Sequence, residues 1–342
     1  MKFSKTEKKQ LWIYTLIAFG ITYLMGILMW YGYTADKALN VFPNAQMLYP
    51  AAGVMILLIA TKKRQELPMR FFVSYLIVTA LLIIFAVTSV FISEENEIMM
   101  LSAAQMVLIV GSMICGILLL TEKKEKRFAF GLRSKNGTAS VYCIGLFLLI
   151  YVLRIMLVSF GSGGMASVEK TAEVFADPFT WIMLVTIVIN FFFSYIAFFG
   201  EEYGWRYYLQ PTLQKRYGKR IGVIILGVVW GLWHLPIDFF YYTSPDMGGA
   251  MLASQIVTCI TLGIFFAYAY MKTENIWVPV ILHFLNNNLV MVFSGDYTAE
   301  VLENQVVGWG DVLLSLFLNG VIFGIFLFTK EFRKEEAEGQ KA

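Results

Sequence analysis

Arg154, Glu201, Glu202, Arg206, His234, Asp238 and His283 all stand inside long apolar runs, and they include both histidines of the chain. An ionisable side chain deep in such a run costs about 2.5–3.5 kcal/mol on insertion scales. Residues of this kind face a cavity or one another and mark function by default. One histidine in an apolar helix is more often a packed, hydrogen-bonded residue than a catalyst. Two histidines that follow a glutamate pair in chain order favour chemistry. The chemistry that suits them is proton transfer to a carboxylate general base, with N–H groups for a developing oxyanion.

Spacing sorts these residues. In "FFGEEYGWRYY", residues 198–208, Glu202 and Arg206 are four apart. Side chains at that spacing share a helix face and can pair, so this pair is expected to hold the helix end. Glu201 points about 100° away and has no cation three or four residues off. It is left to present its carboxylate to another helix, as the general base. His283 and Asn287 are also four apart and together offer two N–H donors for an oxyanion. The structural alternative is a hydrogen-bonded pair that joins two helices. Asn286 and Asn288 point elsewhere and are expected to bridge neighbouring helices.

Gly200 and Gly204 form a GxxxG around the glutamates, and Gly227 and Gly231 form another just before His234. Such pairs let helix backbones approach closely, which is expected to bring Glu201 and His234 to one shared water. Asp238 follows His234 by four residues and is a weak candidate for orienting its ring, because Pro236 disturbs that face. Arg154 lies near the outer end of its span, where a long side chain snorkels to the interface; it is read as structural.

The elements that must hold these groups follow from composition. The chain has 342 residues, 58% hydrophobic and 15% charged, against about 25% charged in soluble domains. Apolar windows predict ten spans, near 11–31, 45–61, 72–92, 98–121, 139–160, 179–209, 221–241, 249–271, 276–294 and 308–329. The expected fold is therefore all-α, a polytopic transmembrane helical bundle. The basic start "MKFSKTEKKQ" runs into the first span without a small-residue cleavage site, so that span is read as retained. With ten spans and a cytoplasmic N-terminus, about 24 of the 27 Lys and Arg fall on the inner side. That distribution obeys the positive-inside rule and predicts both termini in the cytoplasm. At this orientation the site falls in the inner half of the bilayer, reached from the cytoplasmic side or from the lipid. Cys115, Cys143 and Cys259 sit in apolar blocks without CxxC spacing and are read as small buried hydrophobes.

With these residues in place, the chain resembles the CAAX-protease and bacteriocin-processing (CPBP, Abi) family of intramembrane proteases. "EEYGWR" looks like its EExxxR motif, "WGLWH" like its aromatic-xxx-H motif, and "HFLNN" like its HxxxN motif, in the family's order. The resemblance covers about residues 180–295. It implies Glu201 as the base that activates water, His234 as the group that positions and polarises that water, and His283 with Asn287 as the oxyanion hole. It implies supporting roles for Glu202 and Arg206.

Two His and a Glu also suit zinc, so a zinc site of Glu201, His234 and His283, with Glu202 as base, is the alternative. The absence of HExxH and the amide of Asn287 favour a reaction without a cofactor. The domain expectation is a four-span N-terminal module over 1–130, a protease core over 139–329 with its motifs within 180–295, and a cytoplasmic tail over 330–342. The expected partners are the lipid bilayer and a protein or peptide substrate, with no nucleic acid. The expected location is the plasma membrane of a bacterium. The rival readings are a non-enzymatic bacteriocin-immunity or scaffold protein that keeps the motifs, and a proton-coupled transporter. A transporter predicts broken helices in two related halves, and the sequence has no such symmetry.

Overall fold

The structure, a computed structural model, describes residues 3–294 and 302–333. The tail from 334 onward and part of the loop before the last expected span lie outside the described residues. Among the described residues every regular element is a helix. In chain order the apolar helices are α1 (Lys5–Thr34), α2 (Val41–Thr61), α3 (Met69–Ser89), α4 (Glu94–Thr121), α5 (Gly137–Gly161) and α6 (Pro178–Tyr217). Two short helices follow, α7 (Lys219–Trp233) and α8 (Leu235–Phe240). Then come α9 (Gly248–Thr273), α10 (Trp277–Ser294) and α11 (Trp309–Phe328). All but α7 and α8 are long and apolar enough to cross a membrane, which makes nine among the described residues.

The helical bundle agrees with the sequence, but the seventh expected span is not continuous. Pro236 has no N–H to donate, and its ring clashes with the carbonyl four residues back. The helix therefore stops at Trp233 and restarts at Leu235, with His234 at the joint. A break produced by a proline thus sets one of the two histidines at a discontinuity, where its ring is free of a regular helix face.

Burial runs opposite to that of a soluble protein. Leu120 is 77% exposed and Phe317 68%, both on long helices, while Glu202, Arg206 and Asp238 are fully enclosed. Apolar side chains on such surfaces require lipid. The protein is a multi-pass membrane protein.

The glycine pairs pack closely, but against other partners than expected. A Cβ on Gly200 would strike the Met47 carbonyl, and one on Gly204 would strike Pro50, so this face of α6 leans on the start of α2. Gly227 and Gly231 pack against the backbone of Ile260 and Ile256 in α9. The two GxxxG motifs therefore do not join α6 to α7. They fix each helix to a third one, and the link between Glu201 and His234 is made by a side chain described below. Gly204→Ala is expected to destabilise the fold by about 1–3 kcal/mol through overpacking. The midpoint of thermal unfolding in detergent checks this against Gly145→Ala, whose added methyl meets open space and is expected to leave the midpoint unchanged or raise it.

Of the first four long helices, α2 lines the cavity, and α1 and α4 hydrogen-bond to elements that carry the motifs. Tyr195 of α6 donates to the Ser112 carbonyl of α4 at 3.2 Å. Trp233 donates to the Ala18 carbonyl of α1 at 3.0 Å, and Gln46 of α2 donates to the Trp233 carbonyl at 3.0 Å. The three cysteines are free and buried, as expected.

Candidate active site

Glu201 and Glu202 end the regular part of α6, and a wide π turn over Tyr203–Leu209 follows them directly. Turns of this kind cluster at functional sites because they re-aim side chains. Glu201 is buried, and its Oε2 accepts two indole N–H groups: Trp205 Nε1 at 3.2 Å and Trp230 Nε1 at 2.7 Å. Its Oε1 takes no hydrogen bond among the described residues. One oxygen is thus pinned and the other is available, which is the arrangement a general base needs.

Glu202 faces the opposite way and has both oxygens engaged. Arg206 Nε donates to Oε2 at 2.8 Å, so the expected i,i+4 pair is present and fully buried. Oε1 lies 2.9 Å from His283 Nδ1. Arg206 is capped by the rings of Trp230 at 5.0 Å and Phe266 at 5.6 Å, and it donates to the Gly263 carbonyl at 3.4 Å. Sequence spacing found the glutamate–arginine pair but not the histidine that completes it. That contact joins α6 to α10 across 81 positions, beyond any local rule.

His234 places Nδ1 at 2.9 Å from the Trp230 carbonyl, which selects the tautomer that donates there and leaves Nε2 unengaged. Trp230 therefore touches both candidate groups, Glu201 with its indole and His234 with its carbonyl. The expectation for Asp238 fails. It is buried with neither carboxylate oxygen bonded, because the proline break leaves the Trp230 carbonyl, four residues before His234, as the acceptor for the ring. Asn287 Oδ1 accepts from Asn286 Nδ2 at 3.1 Å, which leaves the Asn287 amide N–H groups free to donate. Asn288 donates to the Phe284 carbonyl of its own helix at 2.8 Å rather than bridging helices.

Glu201, His234, His283 and Asn287 all line one cavity of about 500 Å³. Sequence reasoning missed three features of the site and its surroundings. Trp205 stands four residues after Glu201, and the same spacing rule that paired Glu202 with Arg206 was sufficient to find it. Gln46 comes from the second span, which carries no motif. Arg154 lines the cavity instead of snorkelling to the interface and has no hydrogen bond or ion pair among the described residues.

The alternative zinc site is not assembled. Among the described residues no three His, Cys, Asp or Glu side chains gather closely enough to hold a metal ion. Glu201, His234 and His283 share the cavity, and no step is assigned to zinc.

All six motif residues lie within 177–289, the segment that matches the family model described as type II CAAX prenyl endopeptidase, Rce1-like. A CAAX prenyl protease 2 of Methanococcus maripaludis is 27% identical over 112 residues, which are 31% of this chain and 41% of that protein. The chain thus spans about two fifths of the length of that curated relative. No solved structure matches the chain. The motif residues lie in the matched segment, and over residues 177–289 the chain is similar to the type II CAAX prenyl endopeptidases.

Proposed function

We propose that the protein is an intramembrane endopeptidase that hydrolyses a peptide bond of a membrane-associated protein or peptide. The observation that carries this reading is the Glu201 carboxylate. Two indoles hold one of its oxygens, and the cavity that it lines is shared with His234, His283 and Asn287. Glu201 takes a proton from water through Oε1, and the His234 Nε2 orients that water. The hydroxide attacks the carbonyl carbon, and negative charge moves to the carbonyl oxygen.

His283 Nε2 and the Asn287 amide donate to that oxygen. For Nε2 to donate while Nδ1–H bonds Glu202, the ring must be the imidazolium. Glu202, bonded on its other oxygen to Arg206, faces it with the required negative charge. Collapse of the tetrahedral intermediate breaks the C–N bond, and Glu201 passes its proton to the leaving amine. One peptide and one water give one carboxylic acid and one amine.

The proposed setting is the plasma membrane of a bacterium, with the N-terminus and the basic segments in the cytoplasm. His283 lies six residues into α10 from Trp277, about 9 Å at 1.5 Å per residue. The bond is therefore cut in the cytoplasmic half of the bilayer.

The test is reconstitution into proteoliposomes with a library of membrane-segment peptides. Mass spectrometry reads which peptides are cut by the unmodified protein and left whole by Glu201→Gln. If no peptide distinguishes the two, the peptidase reading fails and a non-enzymatic scaffold takes its place. Because the proposed steps use protein groups alone, a chelator is expected to leave the cleavage rate unchanged. Loss of cleavage on chelation, restored by zinc, overturns that part.

A further inference from the structure

The cavity does not run toward the basic loops. On each helix that lines it, the lining residues lie on one side of the Glu201–His283 level. Helix α5 contributes nothing before Tyr151, and α7 contributes nothing before Trp230. Helix α9 contributes nothing after Phe266, α10 nothing before His283, and α2 only its first two turns. The described segments to which these ends lead carry Asp36, Glu169, Glu173, Asp177 and Asp246 against Lys37 and Lys170. On the opposite side the floor is sealed by Phe199, Glu202, Tyr203, Trp205 and Arg206, none with any exposed surface. These buried side chains close the route from the basic-loop side, one of the two routes expected from depth, the other being the lipid.

Arg154 stands on the wall of this passage. Apart from the histidines, it and Glu201 are the charged residues among the lining. A guanidinium on a cavity wall with no ion-pair partner among the described residues suits an anion, and a carboxylate matches its fork. The acidic loops do not forbid this, since exposed charges are screened beyond about 8 Å.

We infer that the scissile segment reaches Glu201 from the acidic-loop side, outside the cytoplasm, and that Arg154 takes one of its carboxylates. The cut itself rests on the peptidase reading, and the extracytoplasmic side rests on the charge-derived orientation. Substrates of this class are extracytoplasmic juxtamembrane segments or exported peptides, not cytoplasmic tails.

The test needs no activity. Cys115, Cys143 and Cys259 are replaced by Ala. Ser254→Cys is placed on the cavity wall and Arg133→Cys on the basic side. Intact spheroplasts are treated with a membrane-impermeant maleimide. Ser254→Cys is expected to label in intact spheroplasts, and Arg133→Cys only after permeabilisation. The reverse pattern overturns the inference.

Labelling of Ser254→Cys is then repeated with three apolar octapeptides: a free acid, its C-terminal amide, and the amide carrying one Asp. A carboxylate-bearing peptide is expected to slow labelling, and the plain amide is not. Which of the two acids protects tells a terminal carboxylate from a side-chain one. Arg154→Gln is expected to weaken that protection about tenfold, and Arg154→Lys to restore part of it, because a lysine keeps the charge but not the fork. Equal protection by the amide, or protection indifferent to Arg154→Gln, overturns the carboxylate assignment. These outcomes stand whether or not Glu201 proves to be the base.

Discussion

Glu201→Gln is expected to lower peptide cleavage by about 10²–10⁴-fold, the range that a positioned general base contributes. The substitution is chosen because it changes little else. Glutamine keeps an oxygen where Oε2 accepts the Trp230 and Trp205 indoles, at 2.7 and 3.2 Å, and it keeps the volume of the side chain. Folding is therefore expected to be retained, with the thermal midpoint in detergent close to that of the unmodified protein. What is lost is the ability of the second oxygen to take a proton from water. Trp230→Phe probes the same group from outside. It removes the shorter of the two indole bonds and keeps a ring over Arg206, so a smaller loss of rate is expected. Initial rates in proteoliposomes decide the matter. Cleavage by Glu201→Gln within tenfold of the unmodified protein would sink the assignment of Glu201 as base and leave the site as a scaffold whose shape alone matters.

How far the sequence reached can be read from particular residues. The spans were legible because twenty-residue apolar runs have few other uses. The seventh was misread as continuous because hydropathy is blind to a proline's effect on the backbone, and Pro236 breaks the helix at His234. The Glu202–Arg206 pair was legible because it is local and obeys helical spacing. Trp205 obeys the same spacing but was passed over, since an indole reads as lipid-facing bulk until its N–H finds a buried carboxylate. Contacts across helices were not legible at all. Nothing in the sequence says that Glu202 meets His283 or that Gly200 meets Met47. The place of Arg154 on the cavity wall was not legible either. An intramembrane arginine is a functional candidate by default, and closeness to a helix end was allowed to outweigh that.

The Glu202–Arg206–His283 cluster carries the second large effect, and its parts separate stability from chemistry. Arg206→Met is expected to destabilise the fold by about 3–5 kcal/mol, because removing one partner strands a buried charge. The low end of that range is favoured, since His283 Nδ1 remains 2.9 Å from Glu202 Oε1 and can share the carboxylate. Glu202→Gln together with Arg206→Met removes both charges at once. An apolar side chain packed under Trp230 and Phe266 is then expected to recover most of the lost stability. Cleavage is not expected to recover with it. A neutral amide then faces His283 in place of the carboxylate, so the imidazolium that donates through Nε2 loses its charged partner. Loss of a group that orients a catalytic ligand typically costs 10–100-fold, and about that deficit is expected to persist in the double variant. Unfolding midpoints and cleavage rates measured on the same detergent-purified samples test the separation. If rate and stability recover together, the cluster only holds α6 against α10, and the oxyanion role of His283 has to be given up.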